Sequence, residues 1–487
     1  MTSFTQAIMA ASARAAEEEE GFDFHDANDP LGSPRTPRGL WRLAVKAALA
    51  SREPPNSIVW GGFPFDLQEV KMKRLQALEE SNSEVHIGAP GGFSPWSDIV
   101  HLIQMLGSSK LNILLLAVPV GIAGGILKWS PSIVFAANFL ALLPLALILG
   151  ELTEDLILRF GETIGGLLNA TFGNVVEMIL GLAALSHGLM DVVAASLIGS
   201  ILSNLLLVLG CCFFFGGSRF KTQQFNSAGN KAATSLLFLA CISVITPTMA
   251  SVLYGPDVMA PETLQLLSHC IAVLLVGMYI CYLFFQLKTH SESFSTNDLR
   301  EDHVNSLGRH FSDAEDPTLS ASLLDSYEIG PVLSVSGAIT GLTLVTITVA
   351  LCSEYLTGAI EAVSEKTHIN KSFLGLILLP IAGNAAEHFT AVFLALKNKM
   401  DAAISIAVGS SIQIAVFVLP VTVLVGWVIG RPFTLNFDPF AVTILTLSVV
   451  LAYFVTSDGK SNWLLGLQLI LTYTLISFVY LLKHDIP

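Results

Sequence analysis

Two short stretches of the sequence place a carboxylate inside a long apolar run. They are Gly173-Asn174-Val175-Val176-Glu177 and Gly383-Asn384-Ala385-Ala386-Glu387, and their glutamates are 210 residues apart (387 minus 177). An ionisable side chain within a membrane-spanning segment is costly, so it usually marks a functional site. The recurrence of the motif therefore indicates an ion site that uses two carboxylates.

The spacing within each stretch explains how such a site can form. Asparagine and glutamate three residues apart share one face of a helix. The preceding glycine weakens the helix and lets another backbone approach, and Pro380 removes a further helical hydrogen bond before the second stretch. We therefore predict an oxygen cage of the kind that Ca²⁺ prefers, built from carboxylates, amides and backbone carbonyls of Gly173, Asn174, Glu177, Gly383, Asn384 and Glu387.

The residue types favour ion exchange over catalysis. Carboxylates take up protons when a metal leaves, which suits the exchange of a divalent cation for H⁺. The sequence contains no His/Cys cluster of the kind that would favour zinc, whereas Mn²⁺ and Cd²⁺ are alternatives to Ca²⁺. The sequence contains no nucleotide-binding P-loop and no catalytic-triad pattern, so we expect no enzyme, no cofactor and no nucleic-acid partner.

The composition places this ion site in a membrane. Hydrophobic residues make up 52% of the 487 residues and charged residues 13%, which is typical of a polytopic helical membrane protein. All six cysteines lie in or beside apolar segments, so we interpret them as small apolar residues and not as disulfides or zinc ligands. The N-terminus lacks a basic region followed by an apolar one, so no cleaved signal is expected.

Apolar runs predict an all-α polytopic membrane protein with eleven transmembrane helices. The runs lie near residues 111–129, 131–150, 165–187, 192–216, 231–253, 263–287, 332–359, 371–396, 402–429, 438–456 and 462–482. Basic residues near these spans are more frequent on the side of the N-terminus. The positive-inside rule therefore predicts a cytosolic N-terminus and a C-terminus on the opposite, lumenal side.

Polar stretches divide the chain into four parts. Residues 1–96 are predicted to form a largely disordered cytosolic tail, in which Arg38–Arg52 is a potential amphipathic helix. Residues 97–290 contain span 1 and a first five-helix repeat, and residues 331–487 contain a second repeat. Residues 291–330 form an acidic cytosolic linker between them.

The 210-residue offset extends beyond the two stretches. It also pairs Met190-Asp191 with Met400-Asp401, and Gly199-Ser200 with Gly409-Ser410. Five spans separate equivalent points, and because five is odd the two halves have opposite orientations in the membrane. We therefore predict one extra N-terminal helix followed by two inverted five-helix repeats, with a substrate site near the midplane and alternating access.

Other polar residues near the spans leave alternatives open. His388 follows Glu387 but lies about 100° around the helix, so a proton-coupling role and a polar packing role are both compatible with the sequence. Five carboxylates can line the two mouths of a pathway or can simply be solvated helix ends: Glu151, Glu154, Asp155, Glu354 and Glu361.

The longer motifs resemble those of a known family. Asn169-Ala-Thr-Phe-Gly-Asn-Val-Val-Glu177, with Gly199-Ser-Ile-Leu-Ser-Asn204, resembles the first signature of the cation/proton exchangers of the CAX type. Gly383-Asn-Ala-Ala-Glu-His388, with Gly409-Ser-Ser-Ile-Gln413, resembles the second, and the likeness covers roughly residues 130–482. It implies a vacuolar or other endomembrane Ca²⁺/H⁺ antiporter, driven by an acidic lumen, with eleven spans and an acidic cytosolic loop after the sixth.

The resemblance also implies roles for individual residues. Glu177 and Glu387 would bind Ca²⁺ and protons alternately, with Asn174 and Asn384 positioning them or acting as ligands. Further ligands would come from the spans that cross behind the motifs, namely from Ser200, Ser410 and Gln413. Val175-Val176 and Met178 depart from the family pattern, which bears on metal preference. A Na⁺-coupled Ca²⁺ exchanger of the same fold and, less favoured, a cation channel are the alternatives, and a homo-oligomer is compatible with all of them.

Overall fold

A computed structural model describes residues 95–290 and 332–483, together with two short strands near the N-terminus. The strands β1 (Ile58–Trp60) and β2 (Phe63–Phe65) pair antiparallel and belong to a unit, Met1–Lys73, separate from the remaining chain. The other residues of the predicted tail up to residue 94, including Arg38–Arg52, lie outside the described residues, as does the predicted linker of residues 291–330.

The first half of the membrane region is built from helices and short variants of them. A 3₁₀-helix, Lys110–Leu116, joins α1 to α2, and a π-helix, Ser203–Val208, joins α5 to α6. A second π-helix, Phe285–Thr289, follows α8. The α-helices are α1 (Pro95–Ser108), α2 (Ala117–Ile126), α3 (Pro131–Phe172), α4 (Val175–Ser186), α5 (Met190–Leu202), α6 (Leu209–Arg219), α7 (Ser227–Val258) and α8 (Pro261–Phe284).

The second half repeats much of this local architecture. Two π-helices, Leu374–Leu378 and Ile414–Val418, join α10 to α11 and α13 to α14. The α-helices are α9 (Val335–Thr367), α10 (Lys371–Phe373), α11 (Leu379–Gly383), α12 (Ala385–Leu396), α13 (Met400–Gln413), α14 (Leu419–Val428), α15 (Pro439–Thr456) and α16 (Trp463–Leu482). The two-residue strands β3 (Gln223–Gln224) and β4 (Lys460–Ser461) pair antiparallel and connect the two halves.

The described residues contain eight helices long and apolar enough to cross a membrane, or up to 10 if each of two bent helix pairs counts as one span. These helices cover the predicted spans except the one near residues 165–187. No loop separates that region from the preceding span, because α3 continues to Phe172 and only the short apolar helix α4 follows. The sequence from Glu151 to Phe160 contains no glycine or proline that would end a helix. The count of eleven spans therefore stays a prediction.

Apolar side chains form both the interior and the outer surface of the helical bundle. Leu142, Leu152 and Leu202 are completely buried, whereas Leu253 and Leu274 are 74% and 72% exposed. An exposed apolar surface of this extent is expected where lipid, and not water, surrounds the helices. The six cysteines are unpaired, and four of them are buried.

Candidate ion-binding site

Both Gly-Asn pairs interrupt helices. Asn174 separates α3 from α4, and Asn384 separates α11 from α12, with backbone angles outside the regular helical range at both residues (φ −115°, ψ 24° and φ −83°, ψ 14°). The helical segments on either side of Asn384 are bent by 60°. Each glutamate therefore lies in the first turn of a new helix, where the unpaired backbone N–H groups favour negative charge.

Glu177 is buried and lies against the second stretch. It is 4% exposed, and neither carboxylate oxygen has a hydrogen-bond partner among the described residues. A Cβ atom on Gly383 would lie only 2.7 Å from Glu177 Oε1, so glycine at this position makes room for the carboxylate. Glu177 also interacts electrostatically with the half-buried Glu387. A carboxylate without a partner in such a place needs a cation or a proton.

A small cavity adjoins the Glu177 carboxylate. Its volume is about 10 Å³, close to the minimum that holds one water molecule. Besides Glu177 it is lined by residues from α4, α5 and α11, including Ser196, Ser200, Pro380 and Gly383. The structure thus brings the first glutamate, the second glycine and Ser200 to one cavity.

Asn384 offers an unused oxygen. The residue is completely buried, and its Nδ2 donates to the backbone carbonyl of Ser200 at 3.3 Å. This contact directs Nδ2 toward α5, while Oδ1 has no hydrogen-bond partner among the described residues. Asn384 Oδ1 is therefore available to a cation.

Asn174, in contrast, has a hydrogen-bond partner at each of its side-chain polar atoms. Ser410 Oγ donates to Asn174 Oδ1 at 2.8 Å, and Asn204 Nδ2 donates to Ser410 Oγ at 2.9 Å. Asn174 Nδ2 in turn donates to Gln413 Oε1. The chain joins the start of α4 to α13, so it links the two halves across the site.

His388 is held by hydrogen bonds at both ring nitrogens. Nδ1 lies 2.7 Å from the Asn384 carbonyl oxygen, and Nε2 lies 3.3 Å from Ser203 Oγ. Because a carbonyl only accepts, the hydrogen is on Nδ1, and Nε2 of the neutral ring accepts from Ser203. This arrangement fits the polar packing role that the sequence left open, while proton coupling by His388 stays a prediction.

Ser203 and Asn204 lie within the first signature motif, but no role was predicted for either residue from the sequence. Both are completely buried and begin the π-helix between α5 and α6. A π-turn adds one residue to the helical turn and often occurs at functional sites, but its position is not readable from composition. The available signal was the Ser-Asn pair within an otherwise apolar run.

Asp155 makes structural hydrogen bonds and does not line the mouth of an ion pathway. It is 5% exposed, and its carboxylate accepts from the backbone N–H groups of Val332 at 2.7 Å and Leu333 at 3.3 Å. Arg159 on the next turn donates to the Leu333 carbonyl. Asp155 is therefore not a solvated helix end, because it binds the segment that leads into α9.

Two other mouth candidates contact basic side chains on the surface. Glu354 Oε1 lies 3.0 Å from His187 Nε2, and Glu361 Oε1 lies 2.5 Å from Lys371 Nζ. Both carboxylates are at least half exposed. These contacts fit the helix-end interpretation of Glu354 and Glu361.

The donor set around the two stretches consists of oxygen atoms. Within the described residues, no group of three or more His, Cys, Asp or Glu side chains comes close enough to hold a metal ion. Carboxylate, amide and carbonyl oxygens are the ligands of hard cations. The fold and this arrangement define a helical membrane protein in which a buried and a half-buried carboxylate lie where two broken helices meet.

Comparison with known proteins assigns the family. Residues 130–288 and 337–482 match the model of the sodium/calcium exchanger protein family. The chain is 41% identical over 374 residues to the Ca²⁺/H⁺ antiporter of Aphanothece halophytica, covering 77% of this chain and 96% of that protein. It is 37% identical over 377 residues to the vacuolar calcium ion transporter of Schizosaccharomyces pombe, covering 77% and 86%. The chain therefore belongs to the sodium/calcium exchanger protein family.

Solved structures agree with this assignment. Native YfkE shares 33% sequence identity with the chain and superimposes with a TM-score of 0.62, covering 77% of this chain and all of that one. An H⁺/Ca²⁺ exchanger of the CAX type has a TM-score of 0.55 at 13% identity and covers 79% and 92%, which supports the fold alone. The expected resemblance to exchangers of the CAX type is thereby confirmed.

Proposed function

We propose that the protein exchanges cytosolic Ca²⁺ for lumenal H⁺ across the membrane of a vacuole or another acidic compartment. The observation that carries this proposal is the buried Glu177 carboxylate, which has no hydrogen-bond partner among the described residues and lies against Gly383. Relatives described as Ca²⁺/H⁺ antiporters and as a vacuolar calcium ion transporter support the choice of ions and of compartment.

The paired carboxylates explain why the two ions would compete. Glu177 and Glu387 interact electrostatically, and two carboxylates in a dry site cannot both stay ionised without a neutralising partner. Ca²⁺ is one such partner and protons are the other. Release of Ca²⁺ therefore requires protonation, which couples the two fluxes.

The residues of the site divide into ligands and positioning groups. Glu177, Glu387 and Asn384 Oδ1 are the proposed ligands in this conformation, because the hydrogen bond from Ser410 already engages Asn174 Oδ1. Asn174, Ser410 and Gln413 would hold the first stretch in place, and Ser200 would fix Asn384 through its carbonyl. Gly173 and Gly383 would allow the close approach of the two stretches.

The proposed architecture that delivers alternating access contains eleven spans. One extra N-terminal helix would precede two inverted five-helix repeats, with the N-terminus and the acidic linker in the cytosol and the C-terminus in the lumen. The constant offset of 210 residues (387 minus 177) and the matching helix breaks at Asn174 and Asn384 support this arrangement. In inverted repeats, the site lies where the two halves meet.

Uptake of radioactive Ca²⁺ into vesicles with an acidic interior tests the proposal. Glu177→Gln and Glu387→Gln should each abolish uptake, because each removes half of the anionic charge from the cage. Glu365→Gln is the matched control, since Glu365 is exposed near the end of α9. Uptake at the level of the native protein in either site variant would overturn the proposal.

Ion competition separates the remaining alternatives. The matching family model includes sodium/calcium exchangers, so sodium coupling needs a direct comparison. Uptake that collapses with a protonophore and ignores a sodium gradient supports proton coupling, and the opposite pattern supports a Na⁺-coupled exchanger. Excess Mn²⁺ in the same assay measures how far the oxygen cage discriminates between divalent cations.

A further inference from the structure

The helix α1, which precedes the first predicted span, has three chemically different faces. Its exposed apolar residues occupy an arc of about 120° at 100° per residue: Trp96, Ile99, Val100, Ile103 and Leu106. A second face, with Asp98, Leu102 and Met105, is turned toward the protein. The third face is polar and carries Ser97, His101 and Gln104, the last two joined by a hydrogen bond of 3.2 Å.

The protein-facing side of α1 is fastened to the start of α9. Asp98 is 6% exposed and accepts hydrogen bonds from the Ser334 backbone N–H at 2.8 Å and from the Ser334 hydroxyl. Ser334 caps α9, because its side chain accepts from Gly337 N. A Cβ on Gly337 would lie 2.5 Å from Asp98 Cγ, and one on Gly341 would lie 3.0 Å from Leu102 Cδ2. Two glycines one turn apart on α9 therefore make room for α1.

The direction of α1 differs from that of the span that follows. The helical segments Trp96–Gly107 and Lys110–Ile126 make an angle of 100° with each other. If Lys110–Ile126 crosses the bilayer, α1 runs nearly parallel to the membrane plane. If α1 were instead one half of a broken span, only protein and lipid would surround it, and its polar face would have no contact with water. A helix at the interface meets protein on one side, hydrocarbon on another and water on the third.

We propose that α1 is an interfacial helix whose apolar face binds the lipid surface and whose Asp98 holds the first turn of α9 at that depth. Trp96, at 73% exposed, stands at the start of the apolar face, and tryptophan is enriched at membrane interfaces. The helix contains no lysine or arginine, and its one charge, Asp98, is buried. The contact is therefore made with the hydrocarbon boundary and does not depend on anionic headgroups.

Labels at adjacent positions test the membrane contact. Ile103→Cys and Gln104→Cys, in a chain with the exposed Cys270 and Cys281 replaced by alanine, are each labelled with an environment-sensitive fluorophore and reconstituted in phosphatidylcholine vesicles. The label at position 103 should emit at shorter wavelength and be quenched by nitroxide-labelled lipid, and the label at 104 should not. Adding phosphatidylserine should change neither signal. Equal quenching at the two positions, or none at 103, overturns the interfacial placement.

A second measurement tests the connection to α9. Val335→Cys, in the first turn of α9, reports through its rate of modification by a membrane-impermeant thiol reagent. Asp98→Asn and Ile103→Glu should raise this rate severalfold, because the first loses the carboxylate and the second draws α1 out of the interface. Gln104→Glu adds the same charge to the water-facing side and should leave the rate unchanged. An unchanged rate in Asp98→Asn, or an equal rise in Gln104→Glu, contradicts the proposal independently of transport.

Discussion

Replacing Gly383 with alanine probes how closely the two Gly-Asn stretches meet. The new Cβ would lie 2.7 Å from Glu177 Oε1, whereas ordinary contacts begin at 3.4 Å, so the carboxylate must move by at least 0.7 Å (3.4 minus 2.7). The backbone at Gly383 is helical, so alanine fits it without strain. The atom that must give way is the end of a flexible side chain, and the fold should therefore survive.

Transport should suffer although folding does not. Functional groups at a site need to be held within about 0.5 Å, and a misplacement of about 1 Å can cost a factor of 10². We expect Gly383→Ala to lower Ca²⁺ uptake roughly ten- to hundredfold. The thermal unfolding midpoint in detergent should be unchanged or slightly higher, because alanine is the better helix former by up to about 1 kcal/mol.

Gly181→Ala provides the matched control for this prediction. Gly181 lies on α4, one turn after Glu177, and a Cβ there would make an ordinary contact of 4.0 Å with Thr422 Oγ1. The same substitution on the helix that carries Glu177 should therefore leave uptake unchanged. Native uptake in Gly383→Ala, or equal losses in both variants, would refute the inferred contact between Glu177 and Gly383.

Three further substitutions test other contacts. Asn204→Ala removes the donor to Ser410, and should reduce the apparent affinity for Ca²⁺ in uptake assays because Asn174 loses its fixed position. Asp155→Ala leaves two backbone N–H groups without their acceptor. It should lower the free energy of unfolding, measured by denaturation in detergent, by about 1–3 kcal/mol for each buried group. An unchanged free energy of unfolding would contradict this prediction. Gly199→Ala should abolish a monodisperse peak in size-exclusion chromatography because its Cβ would overlap the Leu376 backbone. Gly409→Ala should not, because a Cβ there would meet no atom of another part of the described chain within 4 Å.

The helix breaks at Asn174 and Asn384 were predictable because they depend on local chemistry. Glycine weakens a helix, and the short polar side chain of asparagine favours helix ends. The membrane spans were predictable for a similar reason, since apolar length alone decides whether a helix can cross a bilayer. The sequence placed the end of a span after residue 150, because the polar residues from Glu151 to Asp155 resemble a helix end, whereas α3 continues through them to Phe172.

The detailed contacts of the site were not predictable. The π-helix at Ser203–Val208 changes which residues face the site, and its hydrogen bonds depend on packing against helices far along the chain. The contact of Asn204 with Ser410 spans 206 residues, and no local pattern encodes it. The amphipathic nature of α1 was also missed, since its protein-facing side is defined by α9 and not by periodicity alone.

The two halves of the site differ although their motifs match. Asn174 Oδ1 accepts from Ser410, while its equivalent, Asn384 Oδ1, has no partner among the described residues. The offset preserves the serine, since Ser410 corresponds to Ser200 (410 minus 210), but Ser200 contacts Asn384 through its backbone carbonyl. It does not preserve Gln413, which binds Asn174 and corresponds to Ser203, which binds His388 (413 minus 210). The two carboxylates therefore have different surroundings, although the motifs that carry them match.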